Sequence, residues 1–293
     1  MGGMLSMALT FTLKREKVNW SKLMKKYAYF TLGSVVAFAL ILYTGYQGTM
    51  VIKSKINNYI ESRIEKTLSR IDKAIEWDAL NLLRARNRVA SEESAQFINK
   101  FMSDVTSFPD KPALLKESIR NVDRRINGLY CEFGVGSGTT VNYIASIVDT
   151  QQVQVHGFDS FEGLPEDYLD GLPKGTFKMG ELPRVRSNVV LHKGWFNQSL
   201  PAFKKAYNAP LSFLHMDADL YSSTKTVFDI LGDRIVPGTV IQFDEFFNHP
   251  GWKDHEYKAF VEFVESYKVK YQFIGYTPIQ QVAVKILEIS KPQ

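Results

Sequence analysis

Glu132-Phe133-Gly134-Val135-Gly136-Ser137-Gly138-Thr139 is the stretch that decides how the rest of the chain is read. It follows an apolar run of strand composition, Leu129 to Phe133, and leads into residues with helical character, so it turns a strand into a helix. Glycines there let the backbone approach a ligand closely, and the helix that follows offers free N–H groups and a positive dipole end to a carboxylate or phosphate. A nicotinamide fingerprint requires a third glycine or alanine three residues after the second, and that position is Thr139. The spacing is E-x-G-x-G-x-G instead.

Downstream, strand-like segments recur at 153–158, 189–192, 211–216 and 239–243, with helical intervals between most of them. Such alternation predicts a doubly wound α/β fold, a mostly parallel sheet with helices on both faces. The last two apolar runs, 271–276 and 281–287, are joined by Thr277-Pro278 with no room for a crossover helix, so they are expected to pair antiparallel and to complete a seven-stranded sheet.

Upstream, residues 27–46 carry no charge, are flanked by basic residues and have tyrosines at both ends. Their length matches the hydrocarbon core of a bilayer, which predicts a transmembrane helix; a buried core helix and a cleaved signal peptide are the alternatives. Ile52, Ile56, Ile60, Ile64, Leu68, Ile71, Ile75 and Leu82 then recur mostly every three or four positions. That period predicts an amphipathic helical stem that lifts the globular domain off the membrane or packs on the domain or on a second copy, the last a route to a homo-oligomer. The expected organisation is a basic tail over 1–26, a membrane helix over 27–46, the stem over 47–94 and an enzyme domain over 95–293. The basic flanks favour a single-pass membrane protein with a cytoplasmic N-terminus.

The charge distribution argues against nucleic acid. The net charge is +5, but residues 1–60 hold eight Lys or Arg against Glu16 alone, a surplus of seven, so the remainder sums to −2. A slightly acidic body lacks the footprint that phosphate backbones demand. Cys131 is the single cysteine, which excludes an intrachain disulfide and a cysteine-based metal cluster.

The second strand ends in Gly157-Phe158-Asp159-Ser160-Phe161-Glu162-Gly163-Leu164-Pro165, and an acid about twenty residues beyond the glycines suits two ribose hydroxyls. The glycine spacing resembles motif I of class I (Rossmann-like) methyltransferases. Five segments in order carry a more specific resemblance: 132–139, 159–165, Lys193-Gly194-Trp195-Phe196 with Ser199-Leu200-Pro201, 216–224 with Asp217 and Asp219, and Phe243-Asp244-Glu245-Phe246. Together they look like the macrocin O-methyltransferase family, whose members methylate sugar hydroxyls of natural products. The resemblance runs from about Tyr130 to Leu287. It implies the class I methyltransferase fold, S-adenosylmethionine as donor and often a magnesium ion at the acceptor.

The donor site so expected comprises Glu132, Gly134, Gly136, Gly138, Thr139, Asp159, Ser160, Phe161 and Trp195. Strands ending at Asp217 and Asp244 would bring their carboxylates to one edge of the sheet, and hard oxygen ligands suit Mg2+. By similarity to the family, Asp217, Asp244 and Glu245 match metal ligands and Asp219 matches the general base. The family commonly has two aspartates where this chain has Asp244-Glu245. His249 and His255 follow closely and are further candidates for contact with the acceptor or for the base. The expected activity is methylation of a sugar or glycan hydroxyl near a membrane. A lipid, catechol or amine acceptor stays open, as does a membrane-tethered binding protein without turnover.

Overall fold

The computed structural model describes Lys25, Gly33, Ser34 and residues 50–148, 153–169 and 171–290. The chain divides into two compact units, residues 1–82 and 83–293. In the first, helix α1 (Met50–Leu80) leaves Ile56, Ile75, Trp77 and Leu80 exposed. The second contains α2 (Leu82–Phe101, from its second residue), α3 (Lys111–Asn121) and a sheet whose strands alternate with four more helices.

The strands are β1 (Leu129–Phe133), β2 (Val155–Asp159), β3 (Val189–Lys193), β4 (Leu211–Met216), β5 (Ile235–Phe243), β6 (Lys270–Tyr276) and β7 (Val282–Glu288). Their order in the sheet is β3-β2-β1-β4-β5-β7-β6. The first five are parallel, and β7 pairs antiparallel with both β5 and β6. This is a mixed seven-stranded, Rossmann-like sheet, and the antiparallel closing pair follows from the short Thr277-Pro278 connection.

The central strands are buried on both faces because helices cover both. On β4, Phe213 belongs to the core under α3 and α4 (Thr139–Val148), beside Leu115, Ile119, Val141 and Ile144. The adjacent Leu214 belongs to the opposite core, with Phe203 of α5 (Phe196–Ala206), Phe228 of α6 (Tyr221–Leu231) and Phe260 of α7 (Glu256–Ser266). Period-two alternation thus feeds two hydrophobic layers, and each fully buried Phe or Leu contributes about 1.5–3 kcal/mol. Helix α2 is part of the second layer: Ala90 and Ser94 are buried, and Phe97 meets Trp252, Tyr257, Phe246 and Phe273 edge-on.

Strand order reverses between β1 and β4, the crevice where open α/β sheets bind ligands. Helix α3 begins beside it. Asp110 caps that helix, accepting the Ala113 N–H at 2.8 Å, and Pro112 in the first turn lacks only a donor that the helix does not use.

The expectation of a single-pass membrane protein is corrected. Among the described residues no helix is long and apolar enough to cross a membrane. In α1, charges such as Lys53, Lys55, Glu61, Arg63 and Glu65 recur between the apolar positions. The expected transmembrane segment 27–46 itself lies outside the described residues apart from Gly33 and Ser34.

Candidate active site

The sheet's hydrogen bonds continue past the strand ends and set the loops in step. Gly134 N–H donates to the Phe158 carbonyl, Asp217 N–H to Phe133 and Asp244 N–H to Met216, at 2.9, 2.9 and 2.8 Å. Gly134 has φ +97°, and a β-carbon there would stand 1.7 Å from the Asp217 carbonyl oxygen. The first glycine of the turn therefore answers to close approach of β1 and β4 as well as to a ligand.

A cavity of about 860 Å³ opens above these ends. Its lining includes Gly134, Gly136, Thr139, Asp159, Ser160 and Trp195 together with Lys111, Asp217, Asp219 and Glu245. Asp159 is held by two N–H donors, Gly136 at 2.8 Å and Phe161 at 2.7 Å, each to a different oxygen. Each oxygen keeps a lone pair free for a further donor, which is what a ribose diol needs.

Three expected donor residues stand apart from the cavity wall. Phe161 packs in the core, Gly138 backs onto Pro183, and Glu132 is fully buried. Glu132 instead lies 3.0 Å from Nδ1 of His215.

His215 is the centre of a cluster of charged groups that sequence reading passed over. Its Nε2 is 3.6 Å from Asp244, and the Lys111 ammonium lies 2.9 and 3.0 Å from the two Asp244 oxygens and 3.5 Å from Asp217. Burial opposes charge on His215, but its polar contacts with Asp244 and Glu132 and the charges of Glu132 and Asp217 outweigh it and hold its pKa up at about 10. The ring lies between Glu132 and Asp244, and burial in turn pushes the Glu132 carboxyl up to about 7. Asp244 is correspondingly drawn down to about 2: burial resists, and His215 and Lys111 prevail.

The other acids move the opposite way. Burial, then the charge of Asp244, pushes Asp217 up to about 7 and Asp219 up to about 6. Burial raises Glu245 and Glu256 well above the usual carboxylate range. Glu256, in the first turn of α7, is a second residue missed in sequence. Its carboxylate accepts the Ala218 N–H at 3.0 Å and the Glu245 N–H at 3.2 Å, tying together the loops after β4 and β5.

Asp217, Asp219, Asp244 and Glu245 are thus brought together. His249 and His255 sit behind them, outside the cavity lining, with the ring of Tyr168 4.7 Å from His255 and 6.1 Å from His249. His249 Nε2 lies 3.2 Å from the Glu245 carbonyl, and burial lowers the pKa of both histidines. The Tyr168 hydroxyl is buried with no hydrogen-bond partner among the described residues.

Residues 131–246 match the family model described as a methyltransferase domain. No curated protein sequence matches the chain. Among solved structures, the calicheamicin methyltransferase CalS11 is 19% identical, covering 59% of this chain and 77% of that one, with a TM-score of 0.48. The O-methyltransferase NovP is 20% identical over 60% of this chain and 79% of its own, with a TM-score of 0.46. TomG from Streptomyces achromogenes, an O-methyltransferase involved in tomaymycin synthesis, is 14% identical over 73% and 95%, with a TM-score of 0.39. Because all three scores fall below 0.5, the weight rests on the domain match, which includes the glycine turn, Asp159 and the acids 217–245.

Proposed function

The chain being an S-adenosylmethionine-dependent methyltransferase with a Rossmann-like sheet, we propose that it is an O-methyltransferase acting on a hydroxyl of a sugar or glycan. The observation that carries this reading is one cavity lined both by a pre-oriented Asp159 and by Asp217, Asp219 and Glu245. S-Adenosylmethionine, when bound, supplies a methyl group on a positively charged sulfur. An alcohol is a poor nucleophile until it loses its proton, so the protein must hold the hydroxyl in line and take that proton. Asp219 is the base in this reading. Its φ of +59° turns the side chain out of the strand direction into the cavity, a conformation that aspartate tolerates better than most residues.

Asp159, Gly136 and Ser160 would seat the nucleoside of the donor. Trp195 stands at the start of α5 beside Asn197 and Gln198, and these three with Ser222 and Thr226 give the cavity a polar and aromatic rim suited to a sugar. The five-motif resemblance supports the same acceptor class.

A divalent cation such as Mg2+ fits the donor set. His215, Asp217 and Asp244 present ligand atoms within 4.8 Å of one another, and Oε2 of Glu245 is buried without a partner. Asp217, Asp244 and Glu245 would hold the ion, with His215 behind them. When bound, such an ion stabilises a forming alkoxide as a Lewis acid.

The test is incubation of the chain with methyl-labelled donor and a panel of free and nucleotide-linked sugars, catechols and amines, with products identified by mass spectrometry. A methyl ether on a sugar hydroxyl is expected. Label transferred to nitrogen, or to the catechol alone, would overturn the acceptor assignment.

A further inference from the structure

We propose that Lys111 is the resident counter-cation of the acid pair Asp217 and Asp244, so that a divalent ion and the Lys111 ammonium compete for one place. The inference rests on the metal reading above and concerns what that reading must displace.

Geometry carries the argument. The ammonium is 2.9 and 3.0 Å from the Asp244 oxygens and 3.5 Å from Asp217 Oδ2, which puts it between the two groups that would ligate the ion. Magnesium requires oxygens at about 2.0–2.1 Å and manganese sits in similar oxygen sites, so an ion on these carboxylates would stand in the space that the nitrogen fills. Two cations about 3 Å apart in a partly buried site repel strongly.

The placement of Lys111 also has no local justification. It is the first residue of α3, where the positive end of the helix dipole disfavours a cation and favours an acid. Asp110 caps that helix and does not pair with Lys111; the compensation comes from Asp217 and Asp244, 106 and 133 residues away. A lysine side chain has four flexible carbons, is 30% exposed here and lines the cavity, so it has a path out of the acid pair that does not disturb α3. The competition follows: every ion that enters must free the carboxylates from Lys111, which lowers metal affinity.

The probe is Mn2+, titrated calorimetrically and by electron paramagnetic resonance into the full chain and into Lys111→Met, a variant of similar length without the charge. At least a tenfold gain in Mn2+ affinity in Lys111→Met is expected. Equal or weaker affinity in a variant with an unchanged circular dichroism spectrum overturns the competition while leaving the metal reading intact. Absence of Mn2+ binding in both proteins overturns the competition and the metal reading together. If Lys111→Met does not fold, amine labelling of the unmodified chain decides: mass spectrometry should find Lys111 acylated faster with Mn2+ than without. Labelling indifferent to Mn2+ contradicts the proposal.

Discussion

Gly134 lies so close beneath the end of β4 that a β-carbon on it would stand 1.7 Å from the Asp217 carbonyl oxygen, whereas the same atom on Gly136 meets nothing within 4 Å. Two glycines of one turn therefore serve different ends. Gly134→Ala forces the two central strands apart at positive φ and is expected to yield insoluble or strongly destabilised protein. Gly136→Ala has room, costs about 1 kcal/mol for its φ of +49°, and places a methyl group on the cavity wall. Circular dichroism should find Gly136→Ala folded, and calorimetry should find its affinity for S-adenosylmethionine at least tenfold weaker. Unchanged affinity would mean that the donor does not cross this turn.

Asp159→Ala removes the acceptor of the Gly136 and Phe161 N–H groups and the proposed ribose contact. Each lost charge-assisted bond is worth about 1.5–3 kcal/mol, so donor affinity should fall by roughly ten- to a hundredfold or more. Asp159→Asn keeps one acceptor oxygen and should fall between the two. Calorimetry on the three proteins checks the order.

Asp219→Asn isolates the proposed base, because asparagine tolerates the left-handed backbone at this position at least as well as aspartate does. Turnover is expected to drop about 10²- to 10⁴-fold with donor and Mn2+ affinities within a few-fold of the unmodified protein. Loss of Mn2+ binding in this variant would make Asp219 a ligand instead. Chelation, or Asp244→Asn, should cut turnover at least roughly a hundredfold with little change in donor affinity, as for an interaction made mainly in the transition state. Full turnover in excess chelator would remove the metal from the account.

A pH prediction comes from the far side of the sheet. His156 on β2 is 1% exposed, its Nδ1 is 3.1 Å from His192, and burial followed by that neighbour lowers its pKa to about 4. The unfolded chain takes up a proton near the usual 6.5, so between 6.5 and 4 the unfolded state binds more protons. The stabilisation is fully present above about pH 6.5 and is lost as pH falls toward 4, by about 2 kcal/mol at pH 5. The raised acids Asp217, Asp219, Glu245 and Glu256 act in the opposite direction over this range, so the comparison is between proteins: from pH 7 to pH 5 the urea stability of the unmodified chain should fall relative to that of His156→Phe by about 2 kcal/mol. An unchanged difference between the two proteins would place the pH sensitivity elsewhere.

The sheet was legible because its apolar runs are interrupted by helical spacing, and the acids at 217, 219, 244 and 245 because they end two of those runs. Other parts of the site leave little trace in one dimension. His215 sits in Leu211-Ser212-Phe213-Leu214-His215-Met216, a strand buried at every position, where a histidine reads as core; its proximity to Asp217 was the available clue. Glu256 opens a helix and reads as a solvated first-turn acid, yet it is fully buried and bonds two backbone N–H groups. Lys111 gives no signal at all, since only the packing of α3 against the sheet brings it to Asp244. Trp252, which follows the acids closely in sequence, is 2% exposed in the core between Phe97 and Tyr257, and Tyr221 donates its hydroxyl to Glu262.

The central claim is that one cavity holds the donor with its sulfur facing the acids. A crystal structure of the chain with S-adenosylhomocysteine tests it without knowledge of the acceptor. The account predicts both ribose hydroxyls within hydrogen-bond distance of the Asp159 carboxylate, the chain backbone from Gly134 to Gly136 against the amino-acid portion, and the sulfur directed toward Asp217 and Asp219. A nucleoside seated away from Asp159, or a sulfur pointing away from those two aspartates, would contradict it.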